Sequence, residues 1–166
     1  MTQVKIKLNG GIMPKKATDG AAAYDLYVPN DVTLIGWRQV VNLKFSIELP
    51  KGYAATIQPR SGFSAKGIEV EEHFTLDDGS IRTESVRVDG DVARGLIDAD
   101  YRGEVGVILH FMSLYSNNER LHYTIKKGTR IAQMQIVQVP QIELVEADEL
   151  SDTDRGEGGF GSTGSR

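Results

Sequence analysis

The chain has 166 residues, 40% of them hydrophobic and 25% charged, enough for one domain with a real core and ordinary for a soluble globular protein. A net charge of −4 argues against a nucleic-acid-binding surface and against attraction to an anionic membrane, although a local basic pocket for phosphates stays possible. There is no cysteine, so disulfides and thiol chemistry are excluded, and a reducing compartment is compatible.

The opening Met1-Thr2-Gln3-Val4-Lys5-Ile6-Lys7-Leu8 alternates polar and apolar residues. It reads as a strand over 4–8 rather than as a signal peptide, and no apolar run is long enough to span a bilayer. Period-two alternation continues down the chain, with no amphipathic helix of normal length. Ala21 to Val28 is apolar except for Asp25 and is closed by Pro29-Asn30-Asp31. Val32 to Ile35 is short. Val40 to Leu49 alternates through Leu43, Phe45 and Ile47 and stops at Pro50-Lys51-Gly52. Tyr53 to Gln58 follows, and Pro59 to Gly67 breaks the pattern with room for one helical turn. Ile68 to Phe74 and Ser80 to Val88 flank Asp77-Asp78-Gly79, a hairpin turn. Val105 to Met112, Leu121 to Ile125 and Arg130 to Val139 complete the strands, the last two joined by Lys126-Lys127-Gly128. From Ser151 onward the chain is glycine, serine, threonine and charge, with Phe160 as its one large apolar residue. Many short strands with frequent turns imply an all-β sandwich or barrel without internal repeats or an interdomain linker.

His73, His110 and His122 fall at no metal-ligand spacing, and neither a nucleophile elbow nor a Walker-type loop is present. What remains is five polar islands between apolar strands. They are Ala23-Tyr24-Asp25-Leu26, Pro59-Arg60-Ser61-Gly62, Gly95 to Gly103, Gly128 to Gln133, and Arg155 to Gly164. The third holds two carboxylates, a tyrosine and two arginines with Arg94, and a carboxylate beside a flat ring could activate water next to a planar or sugar-like substrate. Each island taken singly also has a plain structural reading. Asp25 fits a satisfied polar group at a strand end, Pro59 to Gly62 a turn, Gly95 to Gly103 a polar hairpin tip, Gln133 an outward strand residue, and the tail an unstructured end.

Taken in order, the islands resemble the five motifs of the trimeric dUTPases, the deoxyuridine-triphosphate nucleotidohydrolases. The match runs from about Val4 to Gly164 through Pro-Arg-Ser-Gly, Gly-Leu-Ile-Asp-Ala-Asp-Tyr-Arg-Gly, Arg-Ile-Ala-Gln and Arg-Gly-Glu-Gly-Gly-Phe-Gly-Ser-Thr-Gly. The resemblance implies a jelly-roll-like β-barrel over 1–150, a closing arm over 151–166, and a homotrimer with active sites shared between subunits. It implies hydrolysis of dUTP to dUMP and pyrophosphate by water attack at the α-phosphorus, which lowers dUTP and supplies dUMP for thymidylate synthesis. Asp98 matches the carboxylate that activates that water. Tyr101 matches the ring under the deoxyribose that excludes a 2′-hydroxyl, and Gly95 and Gly106 mark the hairpin backbone that reads uracil. Asp100 reads as structural. Arg60, Ser61, Gly62 and Gln133 match contacts on the phosphate side. In the arm, Phe160 would cover the uracil, and Arg155, Gly161, Ser162 and Thr163 would hold the far phosphates. Mg²⁺ is implied on the triphosphate, held mainly through water with Asp25 among the outer groups.

Three features depart from the family pattern. Ala23 stands where glycine is usual, Arg94 precedes Gly95, and 68–94 is long, as if Phe74 to Arg82 formed an added hairpin. That segment reads as a tolerated extension or as a docking surface for a protein partner. The alternatives to a dUTPase are a dCTP deaminase-like enzyme, which shares the fold but not the Asp-plus-Tyr and Phe-Gly-Ser-Thr signatures, and a regulatory scaffold. The expected location is cytoplasmic, or the host's cytoplasm or nucleus if the chain is viral.

Overall fold

The structure is a computed structural model that describes residues 2–112 and 121–158. In chain order it comprises β1 (Lys5–Leu8), β2 (Tyr24–Tyr27), β3 (Val32–Leu34), β4 (Arg38–Glu48), β5 (Tyr53–Gln58), α1 (Ser61–Lys66), β6 (Ile68–Thr75), β7 (Ile81–Val88), β8 (Gly90–Val92), β9 (Gly95–Ile97), β10 (Glu104–Phe111), β11 (Leu121–Ile125) and β12 (Arg130–Gln138). With 49% strand and 4% helix the chain is all-β, and the arrangement is jelly-roll-like as the sequence implies.

Three antiparallel four-stranded sheets run β1-β4-β10-β8, β3-β11-β6-β7 and β2-β12-β5-β9. Alternation explains how they close on one core. In β4, Val41, Leu43, Phe45 and Ile47 are buried while the residues between them are not. Leu26, Val107, Leu109, Ile125 and Ile131 meet them from the other strands. Burying such side chains supplies about 1.5–3 kcal/mol each, the main favourable term in a fold this rich in long-range pairing.

The strands β8 and β9 do not show in the sequence pattern, because Gly-Asp-Val and Gly-Leu-Ile are too short to display a period. The sequence reads 68–94 as carrying an added hairpin, and the structure shows more than that. The turn at 77–79 is there, with Leu76 N–H donating to the Ser80 carbonyl at 2.8 Å. Yet β6 lies between β7 and β11, pairing with both. Its base supplies Ile68 and Val70 to the core, joined by Val88 from β7. The hairpin is therefore woven into a sheet, and only its outer half stands clear of the core.

The start of β12 is pinned from outside. Lys126 Nζ donates to the Asp31 carboxylate at 2.6 Å and the Lys127 N–H at 2.8 Å. These two contacts hold the Asp31 carboxyl below the usual carboxylate range. They also set the position from which Arg130 enters the site.

Candidate active site

Two clefts collect most of the polar islands. The first, of about 270 Å³, is lined by Asp25, Gln58, Arg60, Ser61 and Gln133, with Ala23 at its rim. Strand register brings them together: Gln133 on β12 stands opposite Asp25 on β2 and opposite Gln58 on β5. Residues opposed across strands share a face, so three side chains from three strands converge. Arg60 and Ser61 arrive from the turn that leads into α1.

Asp25 is the sole polar or charged side chain buried in the core among the described residues, at 7% exposure. Burying a carboxylate is costly unless it is paired. Here Arg60 Nε donates to Oδ1 at 2.8 Å and one Arg130 terminal N–H donates to Oδ2 at 3.2 Å. Gln133 Nε2 donates to the Pro59 carbonyl at 3.0 Å and so ties the Arg60 turn to β12.

Arg130 escaped the sequence reading for a definite reason. Strict alternation puts residues 130 and 133 on opposite faces. A β-bulge between Arg130 and Ala132 makes Arg130 oppose Tyr27 while Gln133 opposes Asp25. Tyr27 and Asp25 are two apart, so the bulge turns Arg130 and Gln133 to the same side. Ile131 and Ala132, both fully buried, occupy the face between.

The second cleft, of about 200 Å³, is lined by Ile57, Gly95, Asp98, Tyr101, Glu104 and Gly106, among others. It forms where β9 turns into β10. The Tyr101 N–H donates to the Asp98 carbonyl at 3.2 Å, closing the turn. The Asp98 side chain is exposed and makes no hydrogen bond to a described residue, so its carboxylate is free to act on something from solvent. The Tyr101 hydroxyl donates to the Glu104 carbonyl at 3.0 Å. Glu104 is itself clamped, its two carboxylate oxygens accepting from Asn9 at 3.0 Å and Asn42 at 2.7 Å.

Gly103 is a further residue whose role the sequence did not reveal. A Cβ there would collide with the Tyr101 hydroxyl and lie 2.5 Å from its Cζ. The ring lies against the Gly103 backbone, where no side chain fits.

Ile57 lines one cleft and Gln58 the other. Successive strand residues point to opposite faces, so the two clefts open on opposite sides of β5. Among the described residues, Asp98 and Tyr101 line one cleft and Arg60, Ser61 and Gln133 the other. Gly62 lies just past the first cleft, beside Arg60 in a neighbouring hollow. Arg155 lines neither cleft; its Nε donates to the Gly158 carbonyl at 2.7 Å within its own turn. Phe160, Gly161, Ser162 and Thr163 lie outside the described residues.

Among the described residues no group of three or more His, Cys, Asp or Glu is placed to hold a divalent ion. Asp25 lies between two guanidiniums, which disfavours direct ligation, although each oxygen keeps a lone pair for water. The donor set suits a hydrated ion carried in by a ligand, not one held by the protein itself.

The family model described as dUTPase matches residues 9–78 and 82–164. It thus runs through the β6–β7 hairpin apart from residues 79–81. The deoxyuridine 5′-triphosphate nucleotidohydrolase of Hydrogenobaculum sp. (strain Y04AAS1) is 43% identical over 155 residues, covering 92% of this chain and 90% of that protein. The enzyme of the same name from Monkeypox virus is 38% identical over 154 residues, covering 92% and 83%. Among solved structures, the Staphylococcus bacteriophage 80alpha dUTPase with dUpNHpp superposes with a TM-score of 0.74 at 26% identity, covering 99% of both chains. By sequence, by family pattern and by fold, this chain belongs to the dUTPase family.

Proposed function

We propose that the protein hydrolyses dUTP to dUMP and pyrophosphate, with the site completed between chains of a homotrimer. The observation that carries this reading is the split of the motif residues between opposite sides of β5. One side offers a carboxylate, an aromatic ring and a glycine-rich backbone edge, suited to a deoxynucleoside and its attacking water. The other offers guanidiniums, a hydroxyl and an amide, suited to phosphates.

In this mechanism the sugar packs on Tyr101, whose ring is held by Gly103 and by the hydrogen bond to Glu104. The backbone of Gly95 and Gly106 presents an edge to the uracil. Arg60, Ser61 and Gln133, contributed by a neighbouring chain, orient the triphosphate. Asp98 accepts a proton from water as its oxygen bonds to the α-phosphorus. The bond from that phosphorus to the α,β-bridging oxygen breaks, and pyrophosphate leaves. Asp25 acts in this scheme by aiming Arg60 and Arg130. Mg²⁺ bound to the triphosphate would neutralise part of its charge, and Asp25 would meet it only through water. The arm from Ser151 would close over the occupied site, with Phe160 on the base and Arg155, Gly161, Ser162 and Thr163 on the phosphates.

Mixing two inactive proteins tests both halves of the proposal. Asp98→Asn lacks the base, and Arg60→Gln lacks a phosphate contact. Unfolded together in equal amounts and refolded, they form mixed trimers in which one site in three draws Asp98 and Arg60 from different intact sources. Pyrophosphate release from dUTP should then recover to roughly a quarter of the wild-type rate per chain. Background activity in trimers shown by mass spectrometry to be mixed would refute the shared site. Release from dCTP or UTP at the dUTP rate would refute the substrate.

A further inference from the structure

Past Arg60, the phosphate cleft gives way to a second hollow of about 310 Å³, lined by Arg60, Lys66, Glu69, Arg87, Thr129 and Arg130, among others. Four cations face one carboxylate there, in a chain whose net charge is −4. The carboxylate is already engaged: Glu69 accepts from Ser85 Oγ at 2.8 Å and lies 3.7 Å from an Arg87 terminal nitrogen. Asp25 engages Arg60 through Nε and Arg130 through one N–H, so other N–H groups on both remain free to donate. Lys66 makes no ion pair or side-chain hydrogen bond with a described residue.

The fold builds this concentration of charge with a tight turn. Gly67 ends α1 at φ 71°, and a Cβ there would lie 2.5 Å from the Val88 carbonyl oxygen. The close approach brings the end of α1 against β7, where Arg87 donates to the Gly67 carbonyl at 3.2 Å. Lys66 and Arg87 thus share one wall although 21 residues apart in number. The ring in the lining, Phe63, is buried at 3% exposure, which leaves no exposed aromatic face to stack a base.

We propose that this basic hollow is a binding site for inorganic pyrophosphate, receiving the leaving product from the phosphate cleft. The inference rests on the dUTP-hydrolysis reading above. Arg60 lines both hollows, so a diphosphate released at one side of its guanidinium passes to the other without losing that cation. Several cations spread along a wall suit an anion with two linked phosphates better than one with a single phosphate.

Calorimetric titration of pyrophosphate into the intact protein, without dUTP, tests the site directly. Lys66 and Arg87 line this hollow and not the phosphate cleft. Lys66→Ala should weaken pyrophosphate binding about tenfold and Arg87→Ala comparably, as loss of a charge-assisted contact does. Lys66→Arg should restore it, and Lys5→Ala, on a distant strand, should leave it unchanged. In steady-state assays the ratio of the pyrophosphate inhibition constant to the KM for dUTP should rise in Lys66→Ala. The proposal is overturned if both alanine variants bind pyrophosphate within about twofold of wild type. It is equally overturned if inorganic phosphate binds as tightly as pyrophosphate and depends on Lys66 to the same extent. Pyrophosphate binding that depends on Lys66 in a protein that fails to hydrolyse dUTP would leave the hollow standing and remove the proposed function instead.

Discussion

The cleft around Asp25 is wired by side chains, whereas the hairpin pocket is shaped by backbone. In the first, a buried carboxylate holds two guanidiniums from different elements, and Gln133 ties the Arg60 turn to β12. Gln133 and Arg130 sit on the inner strand β12, and Asp25 reaches them from the neighbouring edge strand β2. In the second, Asp98 is exposed and unpaired among the described residues, Tyr101 is 45% exposed, and the shape comes from Gly95, Gly103 and Gly106 around edge strand β9. A group that must hold a highly charged ligand gains from preorganised cations. A group that must take a proton from water gains from an unbonded carboxylate. The difference predicts that stability and turnover separate: mutations in the pocket cost rate, and mutations in the cleft cost both.

Asp98→Asn should give the largest effect, a fall in kcat of about 10²–10⁴-fold, the usual contribution of a general base. Because the side chain is exposed, the thermal midpoint should not move. Turnover within a few-fold of wild type would place the base elsewhere, and a large loss of stability would erase the contrast between the two regions. Asp25→Ala comes next. It leaves two partly exposed guanidiniums without their anion, which should cost about 1–3 kcal/mol in urea unfolding, the loss of charge-assisted hydrogen bonds rather than of a fully buried pair. The KM for dUTP should rise with it. An unchanged urea midpoint would mean that the ion pairs contribute nothing net. Gly103→Ala should give the smallest effect. The added methyl displaces the Tyr101 ring, so preference for dUTP over UTP should fall several-fold with the fold intact. Full discrimination in that variant would show that the ring does not set sugar selectivity.

Much of the molecule is legible without coordinates. Alternation locates β4, β5, β10, β11 and β12 to within two residues, because a strand with one buried face must alternate. The side chains that define the motifs are also visible, since Asp98, Tyr101, Arg60, Ser61 and Gln133 stand in distinctive local strings. Other features arise only from contacts between distant segments. Strict alternation places Arg130 away from Asp25, and a bulge reverses that placement. Gly103 looks like any turn glycine until the Tyr101 ring occupies the space where its side chain would be.

The amino-acid sequence by itself determined that the chain is all-β and which motif residues it carries, because periodicity and residue identity are local properties. Only the tertiary structure decided that β6 is an inner strand, that Lys66 and Arg87 line one hollow, and that Ile57 and Gln58 line two different clefts. Each of these depends on which strands pair and in what register, and register is settled by burying one common core rather than by any single segment.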